Sequence, residues 1–271
     1  MGFPTWPDYY ETPKQSISIL SRLFPSAVAY NRFARIIWRY SIEAKRGRYA
    51  DQQWYDNSLE LLRAMEQTGA QIIFENMSAL ERVPKPFVLI GNHMSMLETM
   101  LLPCMILPFS KVTFVVKRNL VEVPVFKHIM KATRPTVVDR VNPRDDFKTV
   151  MEEGVKQLSA GISYIVFPQS TRAAHFDPEQ FNSIGMKLAL KAGVPVLPLA
   201  LKTDALQNGK WIKDLGKFDT QKPIRFAFGE PILKFGPGGR DEHEQVRDFI
   251  QLKLASWEQD KMMKPCCCGS D

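Results

Sequence analysis

Short β-prone runs recur along the chain at 71–74, 87–90, 113–116, 136–139, 163–167, 196–200 and 224–228. From 87 to 200 they alternate with stretches of helical spacing, at 95–107, 125–131, 144–159 and 182–192. Alternation at this interval predicts an α/β fold, a mainly parallel sheet flanked by helices. The helix at 144–159 carries the clearest end signals. Asn142 stands at its N-cap, Pro143 at its first position, Asp145 and Asp146 near the positive end of its dipole, and Gly161 beyond its last turn. A polar helix is expected over 241–259, after the Gly236-Pro237-Gly238-Gly239 loop.

The amino-terminal part reads differently. Residues 16–48 have helical spacing in two pieces broken at Pro25, since proline removes a donor and clashes with the preceding turn. A further helix over 52–67 is closed by Gly69. The expected organisation is a helical region over 1–70, an α/β domain over 71–260 and a flexible cysteine-containing tail over 261–271. In the second helical piece Arg32, Arg35 and Arg39 form one stripe, and Phe33, Ile36, Ile37 and Tyr40 another. Two readings stand side by side: a helix packed on the domain with a solvated basic face, or one lying in a membrane interface with arginines at anionic headgroups and aromatics among acyl chains.

Composition narrows the setting. The 271 residues are 45% hydrophobic and carry a formal charge of +7, enough apolar material for a globular core and a net charge that suits an anionic partner. The four cysteines, Cys104 and the adjacent Cys266, Cys267 and Cys268, form no spaced disulfide framework and fit a reducing compartment. The tail, with its lysines and cysteines, is a candidate for acylation or a disordered end with idle thiols; it lacks the aliphatic pair of a prenylation signal. The longest uncharged apolar run, 99–109, is far short of the roughly 20 residues that span a bilayer. The first residues, Met1 to Asp8, lack the basic and apolar regions expected of a signal peptide, and the sequence shows no nucleic-acid motif, serine-hydrolase elbow or zinc-protease motif. Charge alone does not choose among a membrane surface, a phosphorylated substrate, an acidic carrier protein and nucleic acid; with no motif for the last, no nucleic-acid partner is expected.

In open parallel sheets functional residues gather beyond the carboxyl ends of the strands. Four polar groups fall there: His93, Lys117, Arg140 and the loop Gln169-Ser170-Thr171-Arg172. Within Asn92-His93-Met94-Ser95-Met96-Leu97-Glu98 a histidine precedes a carboxylate by five places. On a regular helix that spacing leaves the side chains about 140° apart. They meet only if His93 lies in the loop and the helix starts near Ser95. Glu98 then has two possible partners, the imidazole or, as a capping box, the Ser95 amide.

This segment resembles the His-x4-Asp motif of the PlsC-like glycerolipid acyltransferases, a family that acylates 1-acylglycerol-3-phosphate and other lysophospholipids. Three further blocks follow in the family's order. Lys117-Arg118-Asn119-Leu120-Val121-Glu122-Val123-Pro124-Val125-Phe126 resembles the second, with Val137-Val138-Asp139-Arg140 behind it. Phe167-Pro168-Gln169-Ser170-Thr171-Arg172 is similar to the Phe-Pro-Glu-Gly-Thr-Arg block, and Val194-Pro195-Val196-Leu197-Pro198-Leu199 to the fourth. The chain departs from the pattern in having Glu98 for the usual aspartate and Gln169-Ser170 for Glu-Gly, the latter bearing on acceptor identity.

The resemblance implies a peripheral membrane protein on the cytoplasmic face, using no metal, that transfers a fatty acyl group from acyl-CoA or acyl carrier protein, as co-substrate and with no cofactor, to the hydroxyl of a membrane lysophospholipid, 1-acylglycerol-3-phosphate first. It casts His93 as general base and Glu98 as its orienting carboxylate. Lys117, Arg140, Gln169, Ser170, Thr171 and Arg172 become substrate-binding candidates, Arg172 first for an acceptor phosphate. Backbone N–H groups at the start of the helix near Ser95 are candidates for the oxyanion, where one donor contributes about 3 kcal/mol. A different lyso- or aminolipid acceptor, or a lipid-binding relative without turnover, is the alternative. Met94, Met96, Met100 and Met105 either line an acyl channel or pack in the core.

Overall fold

The computed structural model describes residues 3–169, 171–209 and 215–263, with side chains to 260. Eight strands form one sheet: β1 (Tyr10–Glu11), β2 (Ile72–Glu75), β3 (Val88–Gly91), β4 (Val112–Lys117), β5 (Thr136–Val138), β6 (Ser163–Val166), β7 (Val196–Lys202) and β8 (Ile224–Phe228), in the order β1-β2-β8-β7-β3-β6-β4-β5. Strands β3 to β7 run parallel, as the alternation of strand and helix predicts. On the other side of β7 the direction reverses. β8 pairs with it antiparallel and with β2 in parallel, and the two-residue β1, which carries no sequence signal, closes the edge antiparallel to β2.

Ten helices accompany the strands among the described residues: α1 (Ile19–Leu23), α2 (Pro25–Lys45), α3 (Asp51–Glu66), α4 (Ala79–Arg82), α5 (Leu97–Ile106), α6 (Arg118–Glu122), α7 (Lys127–Thr133), α8 (Pro143–Ser159), α9 (Ile184–Ala192) and α10 (Arg240–Met263). The single-turn α4 and α6 fall in stretches too short to show helical periodicity. Pro25 sits at the first position of α2, separating it from α1. The Asn142 side chain accepts from the Arg144 N–H at 3.0 Å, the expected cap of α8. Helix α10 continues to Met263, past the boundary expected at 260. Cys266, Cys267 and Cys268 lie outside the described residues.

Strand side chains alternate between two cores because successive residues point to opposite faces. Leu89, Ile165, Leu197, Leu199, Leu201 and Phe226 join α2, α3 and α5 on one face; Val88, Ile90, Tyr164, Val166, Val196 and Ala200 join residues of α8, α9 and α10 on the other. The amino-terminal helices share the first of these cores. Phe33, Ile37 and Tyr40 of α2 are buried in it, where the interface reading had aromatics among acyl chains. Of the arginine stripe, Arg32 donates to the Ala64 carbonyl at 3.1 Å and Arg39 pairs with Glu60, both on α3. Met94 and Met105 are buried in the same core. Among the described residues no helix is long and apolar enough to cross a membrane.

Candidate active site

The carboxyl ends of β3, β4, β5, β6 and β7 lie along one edge, and the chain leaving each strand supplies the site. At the end of β3 the backbone approaches β7 closely: a Cβ on Gly91 would lie 3.1 Å from the Leu199 carbonyl oxygen. Asn92 then ties the two strands, donating to the Leu201 carbonyl at 2.8 Å and accepting from the Leu201 N–H at 2.9 Å. Both backbone groups are in a buried place, and the side-chain amide replaces the ladder that ends there. His93 follows outside any helix, as the spacing to Glu98 requires.

Glu98, in the first turn of α5, is completely buried. Its Oε2 lies 3.0 Å from His93 Nδ1. Its Oε1 accepts from the Ser95 N–H at 2.8 Å, the Met94 N–H at 3.2 Å and the Thr203 hydroxyl. The two partners foreseen for this carboxylate are therefore both present, one per oxygen. A consequence for the oxyanion expectation is that the Met94 and Ser95 N–H groups are directed to Glu98 and the Leu97 N–H to Ser95 Oγ at 3.1 Å, which removes these three from the donors available to a reacting oxygen.

Ionised, a carboxylate only accepts, so the hydrogen between it and His93 sits on Nδ1 and the lone pair is left on Nε2. The Phe167 ring stacks on the imidazole with centroids 4.6 Å apart and planes 8° from parallel, covering one face. The His93 side chain keeps 15% of its surface exposed, against none for Glu98. Such an arrangement presents a basic nitrogen at the surface, held from behind by a buried negative charge.

Gln169, expected at the substrate, is buried, and its Oε1 accepts from the His93 N–H at 2.7 Å. That oxygen holds the histidine loop. An amide oxygen performs this task as a carboxylate oxygen would, so glutamine in place of glutamate keeps the acceptor and removes a charge. The loop is held a second time by the Ala173 N–H, which donates to the His93 carbonyl at 3.0 Å, and this brings the neighbouring Thr171 and Arg172 to the same edge. Ser170 lies outside the described residues.

Lys117 ends β4 and is exposed. Arg140, past β5, has a left-handed backbone with φ of 57°, and the Asp146 carboxylate at the start of α8 fixes this turn by accepting from the Asp139 and Arg140 N–H groups at 3.0 and 2.9 Å. The Arg140 pKa is lowered, by burial first and also by the Arg172 charge, while Asp146 opposes the shift. The two guanidinium groups are thus close enough to influence each other, with the Asp146 carboxylate exerting the stronger, opposite effect on Arg140. Next to them Arg118 is engaged by Asp139.

Sequence reasoning missed Thr203. It stands one residue beyond β7, fully buried, with its hydroxyl also 3.0 Å from Ser95 Oγ. Its parity with Leu197, Leu199 and Leu201 directs it to the α5 face, but only the pairing of β7 beside β3 puts it against Glu98. Among the described residues no group of three or more His, Cys, Asp or Glu side chains is arranged to hold a metal ion.

Residues 72–202 match the family model described as Acyltransferase. The chain is 33% identical over 156 residues to a 1-acyl-sn-glycerol-3-phosphate acyltransferase of Pseudomonas aeruginosa, covering 57% of this chain and 58% of that protein. It is 32% identical over 140 residues to a probable 1-acyl-sn-glycerol-3-phosphate acyltransferase of Mycoplasma pneumoniae, covering 49% and 50%. The chain thus spans about half the length of the curated relatives it matches. In fold it is similar to the crystal structure of the 1-acyl-sn-glycerophosphate acyltransferase PlsC from Thermotoga maritima, with a TM-score of 0.62 at 19% identity over 92% of this chain and 98% of that one.

Proposed function

Because residues 72–202 form an acyltransferase-family domain, we propose that this protein transfers a fatty acyl group from a thioester, acyl-CoA or acyl carrier protein, to the hydroxyl of a lysophospholipid, 1-acylglycerol-3-phosphate first. The names of its relatives support the acceptor. The observation that carries the reaction is the His93–Glu98 pair, a partly exposed imidazole whose Nδ1 faces a buried carboxylate at 3.0 Å.

His93 Nε2 takes the proton of the acceptor hydroxyl as its oxygen attacks the thioester carbonyl, and Glu98 stabilises the imidazolium that forms. The tetrahedral intermediate then breaks its C–S bond, and the leaving thiolate takes the proton back from His93. Ester and free thiol result, with the enzyme unchanged. Arg172 and Arg140, with Lys117 at the end of β4, supply positive charge for the acceptor's phosphate. Thr171 belongs to the same acceptor loop, and Gln169 supports the reaction by holding the His93 backbone. The protein works at the surface of the membrane that holds its acceptor, on the cytoplasmic face. Its contact with the bilayer is α1 rather than the α2 stripe: Ile19, Leu20, Leu23 and Phe24 are 60–74% exposed, and Trp38 of α2 is 62% exposed.

The test is turnover of purified protein with labelled acyl-CoA or acyl carrier protein and a panel of lyso-acceptors. His93→Ala abolishes product formation; because the ring is largely buried against Phe167 and bonds to Glu98, the variant also loses some stability, and a thermal melt verifies that it is folded under assay conditions. Normal turnover by that variant sinks the mechanism; no product with any donor and acceptor pair sinks the activity.

A further inference from the structure

We propose that Thr203 is a positioning residue for this acyl transfer, its hydroxyl fixing Glu98 and, through Glu98, the His93 imidazole. The role in turnover rests on the function proposed above; the geometry does not. Thr203 lies just outside the segment 72–202 that matches the family model.

The direction of every proton in this network follows from what each group can do. The Thr203 hydroxyl has one hydrogen and two neighbours, Glu98 Oε1 and Ser95 Oγ at 3.0 Å. A carboxylate cannot donate, so the Thr203 hydrogen goes to Glu98 and the Ser95 hydrogen goes to Thr203. Ser95 Oγ in turn accepts from the Leu97 N–H at 3.1 Å. A one-way chain therefore runs from the first turn of α5 through Ser95 and Thr203 to the carboxylate.

Glu98 needs such donors because a fully buried carboxylate is stable only when its oxygens are hydrogen-bonded. Four groups bond to it among the described residues, and three of them, His93 Nδ1 and the Met94 and Ser95 N–H groups, belong to the loop that leads into its own helix. The backbone of that loop is tied down by Gln169, Ala173 and the Asn92–Leu201 pair, but none of these touches the carboxylate. Thr203 alone comes from another element, the end of β7, which is locked to β3 by parallel pairing from Val88↔Val196 to Gly91↔Leu199. Among the described residues it is the one hydrogen bond to the carboxylate itself that comes from beyond the histidine loop, so it sets the orientation of Glu98 and, through Oε2, the tilt of an imidazole whose backbone is already anchored.

Thr203→Val removes the hydroxyl at nearly constant shape, and Thr203→Ser keeps it. Two readings are taken: steady-state kinetics, and the low-field proton resonance of His93 Nδ1–H, assigned by its loss in His93→Ala. In Thr203→Val, kcat falls roughly 10–100-fold with KM for both substrates within about twofold, as for loss of an outer orienting contact. The resonance moves or is lost, and Thr203→Ser restores both. Should the valine variant not fold, Thr203→Cys takes its place, its weak S–H donor giving a kcat between those of wild type and His93→Ala. Wild-type kcat and an unmoved resonance in the valine or cysteine variant, or a serine variant no better than valine, overturn the proposal. If the wild type transfers no acyl group yet the resonance follows the hydroxyl, the acyltransfer reading fails while the positioning of His93 by Thr203 stands.

Discussion

Glu98 divides its oxygens between two tasks, and that division makes its replacement by glutamine informative. Three donors converge on Oε1, the Met94 and Ser95 N–H groups and the Thr203 hydroxyl, so a glutamine must place its oxygen there and turn its NH2 toward His93. The imidazole then has to accept at Nδ1, which puts its hydrogen on Nε2 and removes the basic lone pair. Inverting a histidine tautomer in this way lowers kcat by about 10⁴-fold in a comparable triad. Glu98→Gln is accordingly expected to fold, to bind substrates with little change in KM, and to lose kcat by roughly three to four orders of magnitude. Steady-state kinetics beside a thermal melt check this; a kcat within tenfold of wild type contradicts the assigned tautomer.

At the scale of elements, α1 and α2 have different occupations despite being neighbours. The apolar stripe of α2 packs on α3 and the sheet, and its Arg32 and Arg39 are held by α3. Helix α1 presents Ile19, Leu20 and Leu23 outward with Phe24 beyond it and Arg22 in its last turn. Replacing Ile19, Leu20, Leu23 and Phe24 together by Ser removes several kcal/mol of transferable apolar surface, at about 25 cal/mol per Å². Binding to vesicles of mixed zwitterionic and anionic phospholipid is expected to drop at least about tenfold in co-sedimentation. Changing Arg32, Arg35 and Arg39 to Gln has the smaller effect on binding and instead costs stability, since two of the three are tied to α3. Equal loss from both sets contradicts the assignment of contact to α1.

At the scale of the whole molecule, the two cores protect what the sheet buries. Cys104 of α5 is fully buried, and burial pushes its thiol up to about 12. The thiolate is the reactive form. In native protein at pH 8 Cys104 is therefore expected to resist iodoacetamide and to label only on unfolding, read by peptide mass spectrometry. Rapid native labelling means that α5 opens locally without loss of the fold.

The pattern of apolar runs determined the parallel strands β3 to β7 and, except for the single-turn α6, the helices between them, because a buried strand and an amphipathic helix each leave a trace in the order of apolar and polar residues. The same trace placed His93, Lys117, Arg140 and Arg172 beyond the strand ends, and the five-residue spacing to Glu98 already required His93 to lie outside the helix. Tertiary structure decided what depends on contacts between distant segments. The aromatics of α2 look alike in sequence whether they face acyl chains or α3. Strand β8 reads the same in either direction, yet it lies antiparallel to β7. Gln169 keeps the place of a substrate ligand in its motif, but the approach of the β6 loop to the β3 loop turns its oxygen onto the His93 amide. Thr203 carries no local signal, because its role arises from a hydrogen bond to a carboxylate 105 positions away, brought within reach by the pairing of β7 with β3.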